Sequence, residues 1–266
     1  MRKNSNVFLG TGILLSLLLF FIGCGQKETP LKENIIIFRL SNPDEALNSL
    51  IADTDVSQWA KFQDNRIDIT ATDREVICYH IGVKSANALL SVFLNDYTTA
   101  EKISESIKGA ANKLNIKSDD IETVAKELVD ALKEKDEKKK ASEVKRTLNL
   151  LKNAVIEALS EIGNRGEAVM IEFGAWIEAL RQTSSIILEN YSVKTAAALM
   201  RKMEAEYFKT NFGSLNLHKP RTRYKELLDE TSKLLDLMVP TEANIISKEV
   251  VGTINALTKE INAKVM

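Results

Sequence analysis

The chain predicts an all-α protein: a bundle of about eight antiparallel helices around one buried central helix near residues 73–94. Three observations carry this. The 266 residues are 44% apolar but only 6% aromatic, with 11 glycines and 4 prolines, a composition rich in Ala, Leu, Ile, Lys and Glu that suits helices. Apolar residues recur three and four apart through most of the chain. Ser, Thr, Asp and Asn punctuate those stretches at cap positions, and short connections favour antiparallel neighbours.

The first 24 residues are of another kind. Met-Arg-Lys is followed by an apolar run from Val7 to Ile22, interrupted only by Thr11 and Ser16 among polar side chains, and then Gly23-Cys24. A basic start, an apolar segment and a small residue before the cleavage point make a secretory signal, and the run is short for a membrane span. The ending Phe21-Ile22-Gly23-Cys24 resembles the lipobox of bacterial lipoproteins, with Phe21 where Leu is commonest. The resemblance implies cleavage of residues 1–23, a covalent lipid on Cys24, and attachment of the body to the lipid bilayer at one end. A diacylglyceryl group carries two chains, and two chains anchor durably where one does not. The polar residues 24–33 then form a lipidated tether, and residues 34–266 the helical domain. Gly25, rather than Asp, follows the cysteine, which leans toward the outer membrane of a Gram-negative cell. The expected location is the cell envelope, facing the periplasm or the exterior.

Composition excludes several classes. Losing residues 1–23 takes Arg2 and Lys3 from 36 basic side chains and nothing from 37 acidic ones, so the net charge of −1 becomes −3. With no basic excess, nucleic acid is not the expected partner. Cys24 and Cys78 are the only cysteines; with Cys24 acylated, Cys78 has no partner and belongs in the core.

The elements follow in order. The β-branched cluster Ile35-Ile36-Ile37 suggests a short extended segment near 35–40, with no clear pairing partner later. Asn42-Pro43-Asp44-Glu45 starts a short helix to about Ala52, and Asp55 caps another that carries Trp59 and Phe62. Thr72-Asp73-Arg74-Glu75 reads as a capping box. The helix after it is apolar on every side, which marks a buried one. Gly82 and Ala86 leave room for a neighbour to approach closely. Thr98 to Glu101 repeats the capping pattern before Ile103, Ile107, Ala110 and Leu114, and Asn115 ends that helix. Ser118 caps the next, which the short connection pairs with its predecessor.

Lys133 to Lys140 alternates charges: a solvated tip, or a hinge between halves near 133–141. Helical spacing resumes from Val144 to Leu159, and Gly163-Asn164-Arg165-Gly166 kinks or breaks it. A second mixed helix then runs to about Glu189, and its Gly174 is expected to lie near Gly82 where the two helices cross. Ser192 caps a helix through Phe208, residues 211–220 form a loop, and helices near 222–238 and 241–264 complete the chain, with no fixed-period repeat.

Chemistry is scarce. There are two histidines, and no haem, zinc or di-iron motif, nucleophile elbow, phosphate loop or dinucleotide fingerprint. The Gly-x-His-x-x-Glu signature of imelysin-like envelope proteins is missing as well. No enzyme, cofactor or metal is expected; the lipid on Cys24 is the only added group. One constellation stands out: Tyr79, His80 and Asn87, beside Cys78. His80 and Asn87, seven apart, share a helical face, and buried polar groups need partners. They are the candidate ligand-binding residues of an internal pocket, although a satisfied core histidine is the commoner role. Trp176, Phe173 and Met200 are expected in the core. Lys219, Arg221, Arg223, Lys225 and Tyr224 suit lipid phosphates or, better, a plain solvated helix start. The stretch around Gly82 is similar to helices of uncharacterised bacterial lipoproteins.

Two functions follow as expectations. The first is a non-catalytic interaction or scaffold protein of the envelope, using an exposed helix groove to hold another envelope protein. The second is a small-ligand-binding protein with a pocket near His80.

Overall fold

The computed structural model describes residues 43–64, 66–218, 221–239 and 245–265. The signal, Cys24, the tether and the extended segment near 35–40 lie outside the described residues. Among the described residues there are ten α-helices, two 3-10 helices and no strand, so the protein is all-α.

α1 (Pro43–Leu50) begins on its proline, with Asp44 and Glu45 in the first turn, where acids complement the helix dipole. A 3-10 helix (Val56–Phe62) follows, its cap Asp55 accepting from the Ser57 N–H at 2.9 Å, and it buries Trp59. α2 (Arg74–Phe93) is capped by Asp73, whose carboxylate accepts from the Val76 N–H at 3.0 Å. The cap is thus one residue later than the box Thr72–Glu75 implies, and Glu75 is free to turn elsewhere. α3 (Tyr97–Lys113) is capped by Asp96, not Thr98. Asn115 ends that stretch at φ 58°, a left-handed conformation that Asn tolerates.

α4 (Asp119–Leu132) takes Ser118 as cap, and α5 (Glu137–Glu161) takes Asp136. The charged run between them is the exposed turn of an α4–α5 hairpin, laced by Lys139–Glu134 and Lys140–Glu137 pairs. α3 lies mainly along α2, and α4 mainly along α5, so the pairing expected of α3 with α4 is minor. Gly163, at φ +77°, breaks the chain before α6 (Arg165–Glu189).

The next stretch differs from expectation. It splits into α7 (Val193–Ala196), a 3-10 turn (Ala197–Leu199) and α8 (Lys202–His218). α8 runs through the region expected to be a loop. Phe208 and Phe212 stand four apart on one face, and both meet Phe173 edge-on, with ring centres 5.2 and 4.9 Å away. That buried aromatic pair holds helix where Asn211 and Gly213 suggest a loop. Met200, at the break, is 40% exposed rather than core, whereas Phe173 and Trp176 are buried. α9 (Thr222–Met238) matches its expected span, and α10 (Lys248–Val265) starts later than expected.

Arg221 and Arg223 are not a free, solvated helix start but are engaged within the fold. Both pair with Glu75 of α2, Arg223 also reaches Asp73, and the Tyr224 hydroxyl donates to Glu75 at 2.6 Å. They fasten α9 to the start of α2.

α2 and α6 form the centre, buried on nearly every side. Among the described residues α2 alone is long and apolar enough to cross a membrane, and it is wrapped inside the bundle. α10 lies on α6, and α5 touches both central helices. The central pair runs parallel: Arg74 meets Glu167, Tyr79 meets Gly174, and Asn87 meets Glu178 and Gln182. The antiparallel rule binds helices joined by short turns, and three helices separate these two. Cys78 is wholly buried; burial, with the Glu167 charge, pushes its thiol well above the usual range.

The expected crossing at Gly82 and Gly174 is present. A Cβ at Gly82 would stand 2.0 Å from the Ile171 carbonyl oxygen, and one at Gly174 2.2 Å from that of Tyr79. Each opposing atom is backbone inside a helix and cannot step aside. We therefore expect Gly82→Ala to destabilise by about 3 kcal/mol, and Gly174→Leu by at least as much. Gly252→Ala, on α10 with nothing within 4 Å, should stabilise by about 0.5–1 kcal/mol. Thermal melts of the three variants check the contrast; an unchanged melting temperature for Gly174→Leu would count against the crossing.

Candidate functional site

Two charges sit where the helices are most apolar: Lys84 on α2 and Glu178 on α6, each 2% exposed. A buried charge must be paired and hydrogen-bonded, and the partners of these two define the site.

Glu178, Arg181 and Gln182 share one face of α6 by their three- and four-residue spacing. Glu178 Oε1 accepts from Arg181 Nη2 at 2.6 Å, Asn87 Nδ2 at 3.0 Å and Gln182 Nε2 at 3.2 Å. Its Oε2 accepts from Arg181 Nε at 2.8 Å and from Asn262 Nδ2 of α10 at 3.0 Å. Asn262 Oδ1 in turn accepts from the Tyr79 hydroxyl at 2.6 Å. One carboxylate therefore ties α2, α6 and α10 together. Asn255, seven residues before Asn262, repeats the α10 attachment by donating to Ser184, Ser185 and the Arg181 carbonyl.

The same helices hold down the chain that leaves the 3-10 helix. Non-helical backbone near a core needs outside partners, and side chains provide them. Arg181 Nη2 donates to the Phe62 carbonyl at 2.8 Å, the Asp64 N–H donates to Asn87 Oδ1 at 3.1 Å, and Gln63 Nε2 donates to Ser91 Oγ at 2.7 Å. Lys84 Nζ reaches Asp64 Oδ2 at 3.1 Å and the Arg66 carbonyl. Asp64 also accepts from the Arg66 backbone and guanidinium. Burial pushes the Asp64 carboxyl up, but the Arg66 hydrogen bonds and the Lys84 charge outweigh it and hold the group at about 2.

Between this segment, α6 and α10 opens a pocket of about 440 Å³. It is lined by Lys61, Phe62, Gln63, Asp64, Arg66, Val83, Glu178, Arg181, Lys259, Asn262 and Ala263. Its size is that of a small-molecule site, and its wall is mostly polar.

The three residues singled out from the sequence fall around this pocket rather than in its wall. Asn87 and Tyr79 are fully buried behind it, one bonded to Glu178 and the other to Asn262. His80 is half-buried, and no face of the pocket includes it. Gln63 and Asp64 are bonded to α2 at Lys84, Asn87 and Ser91, one turn and more beyond His80. Burial, with the Lys84 and Arg66 charges, holds the His80 imidazole below its usual value, so it is neutral at pH 7. His218 falls at the end of α8, not in a loop.

Sequence reasoning passed over Glu178, Arg181, Lys84, Asp64 and Asn262. A signal existed for three of them. A lone Lys84 between Ile81 and Leu90, and a Glu178-x-x-Arg181 pair following the apolar stretch Phe173–Ile177, are charges with nowhere to go but a buried partner. A second, part-buried polar group lies apart: Glu172 of α6 accepts from the Tyr207 hydroxyl at 2.6 Å, with Lys152 of α5 electrostatically linked to it. Among the described residues no group of three or more His, Cys, Asp or Glu can hold a metal ion. The chain matches no known family model, no curated protein and no solved structure.

Two outcomes are expected. Glu178→Ala strands donors of α2, α6 and α10, and should cost about 3–5 kcal/mol in urea unfolding. Asp64 is held below its ordinary value, so its contribution is complete above about pH 4 and fades as pH falls toward about 2. That contribution is about 2 kcal/mol. Unfolding curves between pH 5 and pH 2.5 should show Asp64→Asn losing correspondingly less stability with acid than the parent; equal losses would show that Asp64 carries none of it.

Proposed function

We propose that this chain is a lipid-anchored, non-catalytic protein of the bacterial cell envelope that binds a small polar ligand in the pocket between residues 61–64 with Arg66, α6 and α10. The observation that carries the ligand is the polar wall itself. A 440 Å³ recess lined by charged side chains that a buried network holds rigid has the form of a preorganised binding site. The anchor rests on the sequence: Met-Arg-Lys, the apolar run and Phe21-Ile22-Gly23-Cys24. Gly25 after the cysteine favours the outer membrane.

The scaffold reading draws on exposed apolar surface. Among the described residues the most exposed large apolar side chains are Leu217, Ile162 and Met203. They stand at the end of α8, in the α5–α6 turn and at the start of α8, three separate stretches of chain. The pocket is the better-supported feature, so ligand binding takes precedence over a protein partner.

Native mass spectrometry of the protein extracted gently from its own membrane tests both parts. Acyl mass on Cys24 is expected, together with a small bound molecule that is lost in Arg181→Lys. An unmodified Cys24 would overturn the anchor. A protein complex with no small molecule would overturn the ligand reading and restore the scaffold.

A further inference from the structure

The pocket's hydrogen-bonding groups are unequally spent. A carboxylate offers about four acceptor positions. Glu178 already receives five hydrogen bonds from Asn87, Arg181, Gln182 and Asn262. Asp64 receives four from Arg66 and Lys84. Neither acid has capacity left for a ligand cation. The basic side is in surplus: Lys61, Arg66, Arg181 and Lys259 line the pocket against Asp64 and Glu178, an excess of two positive charges in a protein whose net charge is −1. Lys84 behind Asp64 and Glu189 on Lys61 cancel, so the excess stands when they are included.

Two of these cations have donors left over. Arg181 spends Nε and Nη2 on Glu178 and the Phe62 carbonyl, and its Nη1 has no partner among the described residues. Its side chain is 16% exposed and lines the pocket, a guanidinium already stripped of most of its water and locked in place. Lys259 has no ion pair among the described residues and is exposed at the rim. It shares a face of α10 with Asn262 and Ala263, three and four residues on.

We propose that the pocket is a receptor for a small oxyanion, a carboxylate or a phosphate, held by Arg181 Nη1 and Lys259 Nζ. The proposal rests on the ligand-binding reading above and names its ligand class. A fixed guanidinium suits oxyanions because its planar N–H edge matches their oxygens. A cationic ligand would have to break protein hydrogen bonds to reach either acid, and would meet a positive field.

Isothermal titration calorimetry of the full-length protein in a non-ionic detergent tests this. The probes are inorganic phosphate, succinate, dihexanoyl phosphatidylglycerol and, as cation control, ethanolamine. At least one anion should bind and ethanolamine should not. Lys259→Ala, an exposed position that leaves the melting temperature unchanged, should weaken the anion by about ten-fold or more, and Arg181→Lys should do likewise, while Lys209→Ala on α8 changes nothing. Binding of phosphate or succinate identifies a free anion; binding of the short lipid alone identifies a headgroup as the source of the same chemistry. No anion heat, or anion binding indifferent to Lys259→Ala, overturns the proposal. If a neutral or cationic molecule is found bound in native mass spectrometry, the oxyanion class fails and the ligand-binding reading survives; if neither experiment finds a ligand, both fail.

Discussion

The backbone contact between α2 and α6 is the constraint on which the rest of this fold depends. At Gly82 and Gly174 each helix presents bare backbone to the other, and a single added carbon would fall on a carbonyl oxygen of the opposing chain. Side chains normally keep helix axes 8–10 Å apart; two facing glycines remove that spacer. The close approach fixes the register of the pair, and the register decides what meets further along. Going up the two parallel helices from the crossing, Asn87 arrives beside Glu178 and Gln182. A shift of one turn would leave Glu178 buried without those partners.

The polar network is therefore a consequence of the crossing, and it extends the crossing's effect to elements that never touch it. α10 is attached through Asn255 and Asn262, and residues Phe62, Gln63, Asp64 and Arg66 through Lys84, Asn87, Ser91 and Arg181. None of this makes the buried charges a source of net stability. Desolvating Glu178, Lys84 and Arg181 costs much of what their pairing returns, and an apolar core of the same shape can be as stable. What the network does is make the arrangement particular, since each removed partner strands several others. It also leaves a pocket wall whose groups are held in place before any ligand arrives.

Much of the fold was legible in the residues. Periodicity marked nearly every helix, Asp55 and Ser118 were readable caps, Gly163 marked a break, and the small residues in two mixed helices pointed to their contact. Failures had local causes. Where two cap candidates lay close together, as at Thr72 and Asp73, only the final backbone path could choose. α8 outran its expected end because Phe208 and Phe212 gain more from Phe173 than Asn211 and Gly213 cost. The arginines near the start of α9 read as solvated because their partner, Glu75, lies about 150 positions earlier, as the pairing of Arg221 and Arg223 shows.

The candidate site was legible only in part. Tyr79 and Asn87 were recognised as buried polar groups in need of partners, but the partners lie on α6 and α10, far away in sequence. By itself the sequence determined what local physics governs: an all-α class, the span of most helices, the burial of Cys78 and the places where two backbones could approach. The tertiary structure alone decided which polar groups meet. Hydrogen bonds and ion pairs depend on distances between segments that no local pattern encodes, so the convergence on Glu178 and the pocket beside it exist only once the helices have packed.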